Sequence, residues 1–291
     1  MKGPLLFVGV GKMGLPMAGH LHAAGYDVTA FDPSAERCAM ARVQGLPVAA
    51  RLHQAMAEAS LVISSLPADA ALLDVADQLA THAAPGTAWI DTSTVSPEAS
   101  RQAAARVQAR GVTCLRATVS GNTTMAERAQ LTVFASGDRA TYDAVQPLLA
   151  CWGPARHYLG DGEEARVAKL AVNLLIVGTS TMLAEALALG ERGGLDRATL
   201  WDVIESSAAA SPILRAKAPA LRADDYTPTF TVEQMRKDVG LIRAAAQALE
   251  VSTPVADAAA AALDRAAAQG DGEADYAVVI RQARRADGLS N

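Results

Sequence analysis

The sequence predicts an α/β protein in which a doubly wound, mostly parallel sheet is followed by an all-helical domain, the two joined by one long helix. Three observations carry that expectation. Short apolar runs alternate with helical patterns through the first half of the chain. The alternation stops at Gly160-Asp161-Gly162. Beyond that turn every periodic stretch is helical. Strands that alternate with helices build a parallel sheet covered on both faces.

Residues 5–8 are an unbroken apolar run of strand length, and residues 13–24 a helix that stops at Gly25. Residues 27–31 form the second strand. Ser34 then caps a helix that ends near Gly45. Residues 61–66 are a strand stopped by Pro67, and residues 87–91, 113–117 and 131–135 follow as strands, with a helix over 97–110 between the first two. A long apolar helix starts near Glu163, runs to Glu191 and ends at Gly193-Gly194. Helices over 196–207, 212–221, 232–249 and 254–269 come next, with a last one from Glu273. The domain boundary is placed at residue 161, giving a sheet domain over 1–161 and a helical domain over 162–291.

The 291 residues are length for two domains, and a 51% hydrophobic content supplies a large core. Few aromatics and abundant alanine fit closely packed helices. A net charge of −5 argues against nucleic acid or an anionic membrane as partner. The opening MKGPLLFVGVGKMG has too short an apolar run for a signal peptide. No apolar run of about 18 residues is free of polar interruption, so no membrane span is expected. Cys38, Cys114 and Cys151 are odd in number and far apart, and the five histidines do not cluster, so neither a disulfide frame nor a metal site is expected. This composition points to a reduced, cytoplasmic, enzyme-like chain.

Gly9-Val10-Gly11-Lys12-Met13-Gly14 reads G-x-G-x-x-G between a strand and a helix. The first glycine permits a tight turn, the second lets the backbone approach a pyrophosphate, and the third lets helix and strand pack closely. The helix start offers free N–H groups to phosphate. With Asp32 at the end of the second strand, this is the fingerprint of a Rossmann-type dinucleotide-binding domain, with Gly9, Gly11, Lys12, Met13, Gly14 and Asp32 as cofactor residues. Asp32 repels a 2′-phosphate, which favours NAD. Ser34 and Arg37 nearby are the features that keep NADP as the alternative.

The stretch RVAKLAVNLLIVG, residues 166–178, sets one lysine and one asparagine into an apolar helix. Lys169 and Asn173 lie four residues apart and share a face. A snorkelling lysine with a lone polar neighbour is one account of them. A stripe that faces a cleft is the other.

With these motifs in order, the chain resembles the β-hydroxyacid dehydrogenases, the group of 3-hydroxyisobutyrate dehydrogenase and tartronate semialdehyde reductase. GVGKMGLPMA from Gly9 resembles the family's cofactor loop, and Leu66-Pro67 the Leu-Pro that passes the cofactor after the fourth strand. Asp91-Thr92-Ser93-Thr94 resembles the loop at the nicotinamide end, and Val119-Ser120-Gly121 part of the substrate segment. Residues 162–173 resemble the catalytic helix. Phe230 and Lys237-Asp238 resemble the closing motif of the helical domain. The resemblance implies hydride transfer between NAD(P) and a small hydroxy acid or its semialdehyde. Lys169 would then be the general acid–base, its pKa lowered toward neutrality by desolvation, and Asn173 its partner. Ser120 and the backbone N–H groups of Gly121 and Asn122 would hold the substrate carboxylate. Thr94 would contact nicotinamide and substrate, Leu66 and Pro67 the cofactor. Lys237 would close over the cofactor with Asp238 as its orienter. A homodimer or homotetramer is expected, since the long helix is apolar on more than one face.

The substrate segment departs from the family. Where Asp-Ala-Pro-Val-Ser-Gly-Gly is usual, this chain reads Arg116-Ala117-Thr118-Val119-Ser120-Gly121-Asn122. Arg116 is expected to be a surface residue on a strand end, with carboxylate or phosphate binding as the alternative. Asn122 still tolerates left-handed backbone angles and is expected to add an amide to the pocket. Met125 and Ala129 stand where glycines are usual, Met125 as a packing residue, and Ser211-Pro212 stands where Ser-Trp is common. These changes leave the substrate open. Two competing functions, an NADP-dependent imine reductase and a non-catalytic dinucleotide-binding protein, are both disfavoured by Lys169, which such proteins generally lack.

Overall fold

A computed structural model describes residues 3–286. Its first compact unit, Met1–Lys169, is a seven-stranded sheet wrapped by helices. The elements run β1 (Leu5–Val8), α1 (Gly14–Ala23), β2 (Val28–Phe31), α2 (Ala35–Val43), α3 (Leu52–Glu58), β3 (Leu61–Ser64), α4 (Asp69–His82), β4 (Ala88–Asp91), α5 (Pro97–Gln108), β5 (Thr113–Ser120), α6 (Thr123–Glu127), β6 (Thr132–Gly137), α7 (Arg139–Leu149) and β7 (Ala155–Tyr158). The spatial order is β2-β1-β3-β4-β5-β6-β7. Every neighbouring pair is parallel except β5 and β6, which are antiparallel.

The central strands β1 and β3 are buried on both faces, which is why LLFV and LVIS read as continuous apolar runs. Leu5 and Phe7 pack on one side with Met17 and Leu21 of α1 and Val145 and Leu148 of α7. Leu6 and Val8 pack on the other with Leu72 and Leu79 of α4 and Ala103 and Val107 of α5. Gly9, Asp32, Leu66 and Thr92 thus follow the carboxyl ends of parallel strands, where open α/β sheets bind ligands. Leu66-Pro67 follows the third strand, not the fourth.

Helix α8 (Glu164–Arg192) begins in this unit and continues into the second, Leu170–Asn291. The division falls beyond the turn at 160–162 because the sheet holds the first turn of α8. Thr118 Oγ1 donates to the Ala165 carbonyl at 2.9 Å, and Ser136 Oγ accepts from the Ala165 N–H at 3.1 Å.

The second unit continues with α9 (Arg197–Ser206), α10 (Pro212–Arg222), α11 (Val232–Ala248), α12 (Pro254–Ala268), a 3-10 turn over Tyr276–Val278, and α13 (Val279–Ala286). Asp196 and Ser211 cap the helices that follow them, and Thr231 with Gln234 forms a capping box. Ser211-Pro212 is therefore a helix start, with proline where its missing N–H costs nothing. The last helix begins later than Glu273 because the Asp275 side chain accepts from the Ala277 N–H and nucleates the 3-10 turn. By length and composition α8 could cross a membrane. Its Val177, Leu183, Ala184 and Leu187 form core with α9 to α12 instead.

Candidate functional site

Gly9 has φ +90°, and a Cβ there would run into the Ser65 carbonyl; a Cβ on Gly14 would run into the Gly9 carbonyl. These two glycines are demanded by packing. Gly11 is different: its added Cβ would meet only the Arg37 guanidinium, at 3.6 Å. That side of its backbone is open to a phosphate. Helix α1 starts without a side-chain cap; the Leu15 N–H donates to the Gly11 carbonyl at 3.0 Å and Pro16 has no N–H, so what the helix start offers an anion is mainly its positive dipole end. Lys12 is exposed and Met13 half-buried beside them. This glycine cradle and uncapped helix start fit a dinucleotide.

Asp32 is buried, and its carboxylate accepts from the Val10 N–H at 3.0 Å and the Ser34 N–H at 2.9 Å. The expected ribose ligand thus also fixes the glycine loop and the start of α2. Arg37 stands 3.6 Å from the same carboxylate.

The loops after β3 and β4 are stitched together beneath the surface. The Leu66 N–H donates to Ser93 Oγ at 2.8 Å, and Ser93 Oγ donates to Asp91 Oδ1 at 2.7 Å. Ser64 Oγ donates to the same oxygen at 2.5 Å and accepts from Trp89 Nε1 at 2.9 Å. Thr94 follows, half-buried, and Pro67 is exposed.

The substrate segment departs from expectation at Arg116. Arg116 is neither a surface residue nor an open anion binder: it is 5% exposed and ion-paired with Glu163. Asn122 has φ −105° and an extended backbone, not a left-handed one, because its Oδ1 caps α6 by accepting from the Met125 N–H at 2.9 Å. Gly121 keeps φ +141°, where a Cβ would meet Leu131 and Met125, so Met125 packs in the loop. Ser120 closes β5 just before it. The left-handed position lies further on, at Ala129, with φ +52°. Burial pushes the Cys114 thiol up to about 11 even against the pull of Arg116, so it is no nucleophile at neutral pH.

On α8, Lys169 is half-buried and Asn173 buried. Asn173 Nδ2 donates to Asp238 Oδ2 at 2.7 Å, and Lys237 Nζ lies 2.8 Å from Asp238 Oδ1. Asp238, 2% exposed, therefore orients both. Phe230 does not join them; its ring packs edge-on to Tyr276, with centroids 6.4 Å apart. Sequence reasoning passed over Arg166, Glu163, Ser100 and the anchoring role of Asp91. The signal for Arg166 was present: a second cation in the apolar run, three residues before Lys169.

Two family models match the chain and meet at the turn over 160–162. A family model described as the NAD binding domain of 6-phosphogluconate dehydrogenase matches residues 5–160. One described as NAD-binding of NADP-dependent 3-hydroxyisobutyrate dehydrogenase matches residues 163–283. The chain is 34% identical over 288 residues to the NAD-dependent L-serine dehydrogenase of Pseudomonas aeruginosa, covering 94% of this chain and 96% of that one. It is 34% identical over 263 residues to the 3-hydroxyisobutyrate dehydrogenase of the same organism, covering 86% and 88%. The solved structure of Mycobacterium tuberculosis 3-hydroxyisobutyrate dehydrogenase with L-serine superposes with a TM-score of 0.90 at 29% identity, covering 98% of this chain and 100% of that one.

Proposed function

Because this chain belongs to the 3-hydroxyisobutyrate dehydrogenase family, we propose that Lys169 is the general acid–base of its reaction and that NAD is its preferred cofactor. The enzyme is an NAD(P)-dependent oxidoreductase acting on the hydroxyl of a small hydroxy acid or on the matching semialdehyde. A bound nicotinamide supplies the hydride exchange. In the oxidation Lys169 Nζ takes the hydroxyl proton; in the reduction it returns it. Asn173, held by Asp238, steadies the reacting group. Ser120 and the N–H groups of Gly121 and Asn122 take the substrate carboxylate, and Thr94 lies at the nicotinamide end. Gly9, Gly11, Lys12, Met13, Gly14, Asp32, Leu66 and Pro67 hold the cofactor, and Lys237 is the cofactor-binding cation that the family resemblance implies.

The observation that carries this reading is the placement of Lys169 one turn before Asn173 on an unbroken helix, with Asn173 tied to the Asp238–Lys237 pair. The same lysine weighs against an imine reductase. The preference for NAD rests on the buried Asp32 carboxylate, with Arg37 already drawn to it. NADH or NADPH formation across 3-hydroxyisobutyrate, L-serine, glycerate, threonate and 4-hydroxybutyrate tests both points. Turnover of at least one acid with a higher kcat/KM for NAD is expected. Silence across the panel, or a strong NADP preference, contradicts the reading.

A homo-oligomer is part of the proposal. Leu175, Met182 and Leu189 recur every seventh residue along α8 and are 72%, 61% and 77% exposed, an apolar stripe suited to a second copy. Light scattering at micromolar concentration should give a dimer or tetramer mass; a monomer contradicts it. A reduced cytoplasmic setting is supported by the three free thiols.

A further inference from the structure

Arg166 lies three residues before Lys169 and is 2% exposed. Its Nη1 donates to the Ser93 carbonyl at 2.5 Å, its Nη2 pairs with Asp91, and its Nε donates to Ser100 Oγ at 3.2 Å. Asp91 accepts from the hydroxyls of Ser64 and Ser93, and Ser93 Oγ accepts from the Leu66 N–H. One guanidinium therefore joins the loop after β3, the loop after β4 and the first turn of the helix that carries Lys169.

The charges around it balance. A second buried guanidinium, Arg116, shares Ser100 with Arg166 and is answered by Glu163, so two arginines face two carboxylates in one cluster. Apolar side chains would hold a helix against a sheet at less desolvation cost. What an apolar contact cannot do is fix a direction. The planar guanidinium fork presents donors from three nitrogens at set angles to three acceptors, whereas the three donors of an ammonium rotate about a single nitrogen and fix no such direction.

We propose that Arg166 is a positioning residue for the hydroxyacid chemistry: its fork sets the placement of the start of α8, and so of Lys169, against the loop that carries Thr94. A shift of about 1 Å in a reacting group costs on the order of a hundredfold in rate. The proposal rests on the assignment of Lys169 as the acid–base, so its test runs beside Lys169→Ala.

Arg166→Met alone strands a buried Asp91 and risks misfolding, so the informative variant is Arg166→Met combined with Asp91→Asn. It removes both charges and keeps an acceptor for Ser64 and Ser93. Arg166→Lys is the conservative companion. Cofactor affinity is read by fluorescence titration, turnover per folded enzyme by kcat, and backbone protection by amide hydrogen exchange. The double variant should lose at least tenfold in kcat, keep its cofactor Kd within threefold, and exchange faster at 92–94 and 164–168. Arg166→Lys should fall between it and the parent. If Lys169→Ala abolishes turnover while the double variant keeps kcat within twofold of the parent and unchanged exchange at 92–94, Arg166 is only structural and the proposal fails. If Lys169→Ala itself keeps parental turnover, the failure lies in the assignment of Lys169.

Discussion

The two units hold their site residues by different means. In the sheet unit the anchors of the cofactor residues are backbone groups at strand ends: the Val10 N–H on Asp32 and the Leu66 N–H on Ser93. In the helical unit the contacts are between side chains, Asn173 and Lys237 on either oxygen of Asp238. A site fixed through backbone is as rigid as the fold, so damaging it costs stability and cofactor binding together. A site fixed through side chains can lose its aim while the helices stay folded, since α11 is buried through Val232, Met235, Val239 and Ile242 independently of Asp238.

The sharpest way to break this contrast is Gly9→Ala. The residue would sit at φ +90° with its Cβ against the Ser65 carbonyl. Backbone strain of roughly 1–3 kcal/mol, with the clash added, should lower Tm by about 5–10 °C and cofactor affinity by at least about tenfold. A variant with parental Tm and affinity would show the loop to be pliable.

Asp238→Ala probes the other unit. It removes the acceptor of a buried amide and the partner of an ammonium, a loss of about 1–3 kcal/mol. The loss should appear mainly as a fall in kcat of about tenfold, with a smaller change in Tm than Gly9→Ala gives. A fall in Tm with unchanged kcat would make Asp238 a structural residue and erase the distinction.

The smallest expected effect is a gain. Ala129 holds φ +52°, a left-handed conformation that costs an alanine about 1–2 kcal/mol. Glycine removes that strain but adds about 0.5–1 kcal/mol of chain entropy. Ala129→Gly should therefore raise Tm by about 2–3 °C and leave kcat unchanged, since no substrate or cofactor contact is assigned to Ala129. A fall in Tm would mean that packing at Ala129 outweighs its backbone.

The same division explains what the sequence disclosed. The glycine loop, Asp32 and the span of α8 were readable because each has a local signature: a fixed spacing, an acid at a strand end, an apolar run closed by Gly193-Gly194. Helix α4 was missed because Ala68 gives it no side-chain cap and Asp69 turns to Ser96 instead. Helix α7 carries Pro147 inside it, and β7 is the polar edge strand ARHY, so neither showed its usual pattern. The fate of Arg116 was unreadable for a different reason. Its partner Glu163 is 47 positions away, and only the antiparallel pairing of β5 with β6 and the seating of α8 bring them together. The backbone at Asn122 was unreadable because its short polar side chain suits a left-handed turn and a helix cap equally well.

Lys169→Ala is the most direct measurement of the account. The residue is proposed to act on a proton, while the adenosine and pyrophosphate are assigned to the Gly9–Gly14 loop and Asp32. Cofactor Kd by fluorescence titration should stay near the parental value while kcat on the best substrate falls by about 10²–10⁴-fold. Near-parental turnover would make Lys169 a snorkelling helix residue, and loss of the fold would make it a structural one; either result contradicts the assignment.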